Sequence, residues 1–125
     1  MRELDELFAA LQKNAFRRQR TLDAKDRAYL RSRGMTKVLQ HAAEFVARRL
    51  APAEPLNDGS QTPWRGHPAF TAQHGTGTCC RGCLAKWHYI EKGRPLTAAE
   101  QQYVVGVIRR WLEPYIDQDR ERLQP

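Results

Sequence analysis

The fold is decided by residues 97–116, TAAEQQYVVGVIRRWLEPYI, which have the pattern of one long amphipathic helix. Thr97 and Glu100 are spaced as a capping box, in which each side chain bonds the other residue's backbone N–H. Behind them, apolar side chains recur every three or four residues, as in a helix that packs on a core. These side chains are Val104, Val105, Ile108, Trp111, Leu112, Tyr115 and Ile116. Pro114 is predicted to kink or break the helix, and the polar residues 117–122 are predicted to fray.

Three more helices are predicted in the first fifty residues. The second runs from an N-cap at Asp23 to Gly34, a residue type that commonly ends helices. The third is capped by Thr36 and ended by Pro52. The first carries an apolar stripe at helical spacing, formed by Leu4, Leu7, Phe8, Leu11 and Ala15.

The middle of the chain has a different composition. Residues 51–66 are rich in proline, glycine and polar side chains, which predicts a long loop. A short helix is expected from Pro68 to His74, closed by Gly75 and Gly77. The predicted fold class is mainly α: a small single-domain helical protein with a central metal-knuckle and loop segment. The domain spans 1–125, with helices in 1–50, the loop and Cys/His segment in 51–96, and the C-terminal helix in 97–123.

The chain is basic, with 21 Lys and Arg against 14 Asp and Glu and a net charge of +7. Residues 1–50 carry 12 of the basic residues and 6 of the acidic ones. A basic helical face suits DNA or RNA, because lysine and arginine displace counterions from phosphates. The predicted contacts are Arg17, Arg18, Arg20, Arg27, Arg31 and Lys37. The alternative is a solvated helix surface.

Composition also bears on localisation. The sequence has no run of 18 apolar residues, so no membrane partner is expected. Glu3, Asp5 and Glu6 precede any apolar stretch, which argues against a secretory signal and favours the cytoplasm.

The chemistry is concentrated between His67 and His88, where six nitrogen and sulfur ligands lie within 22 residues. All three cysteines of the chain are here, and a cytoplasmic protein does not hold stable disulfides. The segment therefore predicts a metal site. Zinc is favoured over an iron–sulfur cluster, which usually takes four thiolates. A tight turn is expected to present the thiolates of Cys80 and Cys83 to one metal ion. Gly82 is expected to give the backbone the conformational freedom that this turn needs.

The predicted ligands are Cys80, Cys83, His88 and His74. Cys79 and His67 are the alternates for the fourth position. Side chains of adjacent cysteines are expected to diverge, which leaves Cys79 as a packed thiol. If Cys79 were a ligand, Arg81 and Lys86 could offset the extra negative charge. Trp64 and Trp87 are interpreted as packing over the site rather than stacking on bases.

Whether the protein is an enzyme is left open. The chain has none of the usual zinc-protease, deaminase, phosphate-loop or serine-hydrolase motifs. Asp58, Glu91 and a histidine free of metal, such as His67, are the catalytic candidates. The leading interpretation is a nucleic-acid-binding module with a structural zinc. The alternatives are a metal-dependent hydrolase acting on a nucleotide or nucleic acid, and a protein-interaction adaptor that dimerises through its long apolar helix.

Several of these segments also carry a resemblance to a known family. They are 57–63 (NDGSQTP), 66–68 (GHP), 73–74 (QH), 78–84 (TCCRGCL), 86–88 (KWH) and 92–97 (KGRPLT). Together they resemble the bacterial and phage family DUF4186, a domain of unknown function, along most of the chain. The resemblance implies a small stand-alone domain and adds no activity. The resemblance leads us to expect small residues such as alanine at two positions where this chain has Gly75 and Gly77. The glycines are expected to loosen the approach to Cys79.

Overall fold

The computed structural model describes the backbone of residues 1–123 and the side chains of residues 1–119. Over this part of the chain it contains seven α-helices and no β-strand. They are α1 (Leu4–Gln12), α2 (Ala15–Arg18), α3 (Ala24–Arg33), α4 (Met35–Phe45), α5 (Pro68–Thr76), α6 (Arg81–His88) and α7 (Ala98–Leu123). A π-helical turn, Val46–Leu50, extends α4. The predicted mainly α, single-domain fold is confirmed.

Helix α5 lies at the centre of the molecule. Every residue from Pro68 to Thr76 is buried, and α5 contacts α1, α2, α3, α4 and α7. A helix surrounded on all sides leaves little room for large side chains. A Cβ built on Gly75 would lie 2.7 Å from Nε1 of Trp111, and one on Gly77 would lie 2.7 Å from Cδ1 of Trp87. The two glycines therefore allow close packing, and the expectation of a loosened approach to Cys79 is wrong.

Helix α7 packs its apolar face against α4 and α5. Val104, Ile108 and Leu112 are fully buried there, so these side chains do not form an exposed face for a second copy. The predicted capping box is present: Thr97 Oγ1 accepts from the Glu100 N–H at 3.1 Å, and Glu100 Oε1 accepts from the Thr97 N–H at 2.9 Å. The predicted break at Pro114 is wrong, because the helix continues to Leu123. The residues predicted to fray, 117–122, are helical as well, and a kink at Pro114 stays a prediction.

The N-terminal helices follow most of the predicted signals. Asp23 caps α3 through a 2.8 Å bond from the Asp26 N–H, and Gly34, at φ 85°, ends it. Thr36 does not cap α4, since the helix has already begun at Met35. The first predicted helix divides in two, because Asn14 caps α2 by accepting from the Arg17 N–H.

Residues 51–67 contain no helix or strand, as predicted, and buried polar contacts hold this long loop in place. The guanidinium of Arg81, fully buried in α6, donates to the carbonyl oxygens of Leu50, Pro52, Glu91 and Arg94 at 2.8–3.4 Å. One side chain thus joins both ends of the middle segment. No helix in the described part of the chain is long and apolar enough to span a bilayer.

Candidate metal centre

The start of α6 positions two of the three cysteines. Cys80 is the N-cap residue, in extended conformation, and its Sγ accepts from the Cys83 N–H at 3.4 Å. Cys83 follows in the first turn of the helix. The predicted tight turn around Gly82 is wrong: a helical turn brings the two sulfurs together, and Gly82 lies inside the helix.

All three cysteines converge on one point. The Sγ atoms of Cys79, Cys80 and Cys83 lie within 4.8 Å of one another. The expectation that the side chains of Cys79 and Cys80 diverge is therefore wrong. The extended backbone of Cys80, with φ −158° and ψ 168°, separates Cys79 from the helix that carries Cys83. A cluster of three thiols in this arrangement could hold a metal ion.

The cation beside the sulfurs is Arg17, from α2. Its guanidinium lies 3.3 Å from the Cys83 Sγ and 3.8 Å from the Cys79 Sγ, and donates to the His74 carbonyl at 2.6 Å. Arg81 points into the core instead, and therefore does not offset the charge of the thiolates. Trp87 flanks Arg17, with its ring centroid 5.8 Å from the guanidinium carbon.

These surroundings give the three cysteine thiols different pKa values. Hydrogen bonds from Cys79, Cys80 and Arg17 lower the pKa of Cys83 to about 5, against the opposing effect of burial. The hydrogen bond to Cys83, together with burial, raises the pKa of Cys79. Burial raises the pKa of Cys80. At neutral pH, Cys83 is the thiolate of the cluster and its two neighbours are thiols.

His74 lies beside the cluster in a fixed orientation. Its Nε2 is 3.1 Å from the carbonyl oxygens of both Thr62 and Pro63, so Nε2 carries the hydrogen and Nδ1 keeps a lone pair. Trp64 stacks on the imidazole with ring centroids 3.9 Å apart, as expected of a tryptophan that covers the site. Burial lowers the pKa of His74, so the ring is neutral at pH 7. Thr62 also bonds the Cys79 carbonyl through Oγ1, at 2.7 Å.

His67 is used in another part of the core. Its Nδ1 accepts from the Ala69 N–H at 3.0 Å and caps α5. The hydrogen of the neutral ring is therefore on Nε2, which donates to His41 Nδ1 at 3.1 Å. This tautomer leaves His67 without a lone pair for a metal ion.

His88 also makes hydrogen bonds through both ring nitrogens. Nε2 lies 2.8 Å from the Thr76 carbonyl and Nδ1 lies 2.7 Å from the Tyr103 hydroxyl. The ring therefore donates to Thr76 and accepts from Tyr103, and joins α5, α6 and α7. The structure brings none of the three histidines, His67, His74 or His88, into the group formed by the three cysteines.

The acidic catalytic candidates have structural partners. Asp58 accepts from the Arg81 backbone N–H and from the Gln61 amide, and lies 3.6 Å from the Lys92 amine. Burial opposes ionisation of Asp58, but these hydrogen bonds outweigh it and lower its pKa. Glu91 accepts from Arg94 at the surface. Asp58 therefore stays ionised at the N-terminus of α6, where a carboxylate is stabilised.

The six predicted nucleic-acid contacts separate into two groups. Arg17, Arg18, Arg20 and Arg27 line one cavity, which is described below. Arg31 forms a salt bridge with Asp119 at 3.8 Å. Lys37 is exposed on α4. No local sequence signal indicates the contact of Arg17 with the cysteines, because Cys79 and Cys83 are 62 and 66 positions away along the chain.

Fold and site together define a small all-α protein with a cluster of three cysteines at the N-terminus of a helix. The chain belongs to the family described as "Domain of unknown function (DUF4186)", whose sequence model matches residues 5–113. The match covers the helical core and the whole Cys/His segment. No solved structure matched the chain.

Proposed function

We propose that the protein binds one zinc ion through Cys79, Cys80 and Cys83. The observation that carries the proposal is the convergence of three sulfurs within 4.8 Å at the start of a helix. Sulfurs that bind one tetrahedral zinc at about 2.3 Å lie about 3.8 Å apart, so closure of the cluster needs only small side-chain adjustments. Thiolates favour zinc over magnesium or calcium, and three of them fall short of the usual set for an iron–sulfur cluster.

The fourth ligand that we propose is His74, through Nδ1. Histidines that bind metals usually donate their other ring N–H to a backbone carbonyl or carboxylate, which fixes the tautomer. The contacts of His74 Nε2 with Thr62 and Pro63 have this form. The tautomer and contacts of His67 and His88 favour leaving both out of the ligand set.

Arg17 fits the charge of such a site. Three thiolates, one neutral histidine and Zn²⁺ carry a net charge of −1, which a guanidinium beside two of the sulfurs offsets. Donors around metal-bound sulfur contribute to affinity without touching the ion. The contacts of Arg17 with Cys79 and Cys83 have the position that this role requires.

The role that we propose for the zinc is structural. Its ligands come from α5, from the segment before α6 and from α6 itself, and the surrounding contacts extend to α2 and the loop at Thr62. An ion with four protein ligands holds such segments together and has no open position for a substrate. The hydrolase alternative requires an open position.

Binding of DNA or RNA over an extended basic face stays a prediction. Four of its six cations line one cavity, and Arg27 and Arg31 face Asp119. This grouping favours a compact anionic ligand over a long phosphate backbone.

The zinc proposal is tested by metal content. The purified protein is expected to contain one zinc per chain by elemental analysis. Cys79→Ser, Cys80→Ser, Cys83→Ser and His74→Gln are each expected to lower its zinc affinity by tenfold or more in competition with a chromophoric chelator. His88→Gln and His67→Asn serve as matched controls, because they change the other histidines of the segment and are expected to keep the metal.

Cobalt provides a second readout. Co²⁺ in a site with three thiolates gives strong sulfur-to-metal charge-transfer absorption, which weakens in each cysteine variant. The proposal fails if the folded protein takes up neither ion. If His88→Gln removes the metal while Cys79→Ser retains it, the proposed set of ligands is wrong.

A further inference from the structure

A cavity of about 580 Å³ lies between α7 and the first three helices. Its volume is within the range of small-molecule sites, roughly 300–1,000 Å³. Five arginines line it, and the described residues around it include no aspartate or glutamate. These arginines are Arg17, Arg18, Arg20, Arg27 and Arg110. Like charges gathered around one cavity repel one another, so this arrangement points to an anionic ligand.

The positive charge of the cavity is only partly neutralised by the protein. Arg27 lies 3.8 Å from Asp119, and Arg110 lies 2.5 Å from Asp5. Neither Arg18 nor Arg20 forms a salt bridge with a carboxylate of residues 1–119.

Buried donors without acceptors support the same conclusion. Within residues 1–119, Arg20 Nε is buried and has no hydrogen-bond partner, and Arg27 Nη2 is buried with only Asp119 Oδ1 near it, at 3.8 Å, beyond hydrogen-bond distance. Buried N–H groups are nearly always paired in folded proteins. Two such donors among the residues of one cavity leave hydrogen-bonding capacity for a further acceptor, such as a phosphate oxygen.

Part of the remaining wall is aromatic. Phe8, Trp111 and Tyr115 line the cavity, with the Trp111 and Tyr115 ring centroids 5.3 Å apart. The indole nitrogen of Trp111 lies against Gly75, which also lines the cavity. A planar heterocycle stacks well on such a surface. An inorganic anion would leave this wall unused, and an uncharged apolar ligand would leave the arginines unpaired.

We propose that this cavity binds a nucleoside phosphate, either as a free nucleotide or as the phosphorylated end of a nucleic-acid strand. The phosphate pairs with Arg18 and Arg20, and the base stacks on the aromatic wall near Trp111. This proposal is independent of the zinc site, apart from the shared position of Arg17. Its test therefore leaves Arg17 unchanged.

The first experiment measures binding by calorimetry to the metal-containing protein. The probes are adenosine and guanosine monophosphate, adenosine, inorganic pyrophosphate, and a short DNA strand with and without a terminal phosphate. A monophosphate or the phosphorylated strand is expected to bind at least tenfold more tightly than adenosine or pyrophosphate. Tighter binding of the strand identifies a strand end as the ligand, and tighter binding of the monophosphate identifies a free nucleotide.

Two double variants separate the cavity from general attraction by charge. Arg18→Gln with Arg20→Gln is expected to weaken nucleotide binding roughly 10- to 100-fold, the effect of losing charge-assisted hydrogen bonds. Arg33→Gln with Lys37→Gln removes the same charge outside the cavity and is expected to change affinity less than threefold. Thermal unfolding checks that both variants fold.

An NMR titration locates the ligand. The Trp111 indole N–H signal is expected to shift on binding, whereas those of Trp64 and Trp87, outside the cavity, stay in place. The proposal is overturned if no nucleotide or strand end binds, if pyrophosphate binds as tightly as the nucleotide, or if both double variants weaken binding equally. It is also overturned if the Trp111 signal does not move.

Discussion

Two arginines have roles that the sequence order would assign the other way round. Arg81 stands between the cysteines and is expected to offset their charge, with Lys86, if Cys79 is a ligand, yet it is buried against four backbone carbonyls. Arg17, in a distant helix, contacts the sulfurs. The reason is that α6 begins at residue 81, and its first turn directs the Arg81 side chain into the core. No signal in the sequence indicates this helical turn. Spacing along the chain identified the cysteines but not their partner.

The burial of Arg81 leads to a stability prediction. Arg81→Met keeps the length of the side chain but removes all its donors, and leaves four carbonyl oxygens without a partner. Each unpaired buried polar group costs about 1–3 kcal/mol, partly relieved where water reaches the loop. We expect the free energy of unfolding, measured in urea, to fall by about 3 kcal/mol or more.

Two further variants make this prediction testable even if Arg81→Met fails to fold. Arg81→Lys keeps the charge but not the planar fork of donors, and is expected to be intermediate in stability. Arg48→Met makes the same change at an exposed position and is expected to have little effect. Unfolding free energies within about 0.5 kcal/mol of wild type for Arg81→Met would show that the carbonyls do not depend on this side chain.

At the scale of the elements, the sequence predicts the capping interactions that begin α3 and α7. The capping box of α7 and the Asp23 cap of α3 act between residues three apart, so the sequence contains both partners. Pro114 is predicted to kink or break α7, but the helix, which packs on both α4 and α5, continues through it to Leu123. Helix α6 is not predicted from the sequence, because the cysteines at its N-cap and in its first turn have the spacing of a metal knuckle.

The close packing of α5 predicts opposite effects for the same change at two helical glycines. Gly106→Ala in α7 has open space around the new Cβ, and is expected to stabilise the protein by about 0.5–1 kcal/mol. Gly75→Ala gains the same helix propensity, but its Cβ would lie 2.7–2.9 Å from Nε1 and Cε2 of Trp111. Overpacking of this kind costs about 1–3 kcal/mol, so we expect a net loss of about 1 kcal/mol.

Thermal and urea unfolding of the two variants measure this difference directly. Because both sites are helical and the substitution is identical, the difference between them isolates the contact with Trp111. If Gly75→Ala were as stable as Gly106→Ala, the centre of the molecule would have room that the packing of α5 does not indicate.

At the scale of the whole molecule, the sequence separates two features that the fold joins. Most of the positive charge lies in residues 1–50, and the Cys/His segment lies between His67 and His88. Arg17 belongs to both regions, because its guanidinium contacts the sulfurs while the residue also lines the arginine-rich cavity. Net charge and ligand spacing could be taken from the sequence. The cavity could not, because it exists only where α7 meets α1, α2 and α3.

The buried histidines make the stability of the whole molecule depend on pH. Burial lowers the pKa of His88 to about 4, aided by the nearby charges of Arg2, the N-terminal amine and Arg17, although the bond to Thr76 opposes this. Burial and the neighbouring His41 lower the pKa of His67 to about 4. In the unfolded chain both titrate near 6.5.

A histidine whose pKa is depressed on folding stabilises the native state above its unfolded pKa, and this stabilisation is lost as pH falls towards the native value. We therefore expect the unfolding free energy to be highest above about pH 6.5 and to decline from there to about pH 4. Lowered carboxyl pKa values, such as that of Glu100 at about 2, reduce stability only as pH falls below about 5, towards and past the ordinary carboxyl value of 4.5. Between about pH 6.5 and 5, the decline in unfolding free energy therefore comes from the histidines.

Urea unfolding at a series of pH values measures this decline, and two variants assign it. His88→Gln keeps a donor for Thr76 and an acceptor for Tyr103 without titrating, and His67→Asn keeps an acceptor that can cap α5. Release of zinc at low pH affects all three proteins in common. Each variant is therefore expected to lose stability less steeply than wild type between about pH 6.5 and 5. Equal slopes in all three would mean that neither histidine is held neutral by the fold.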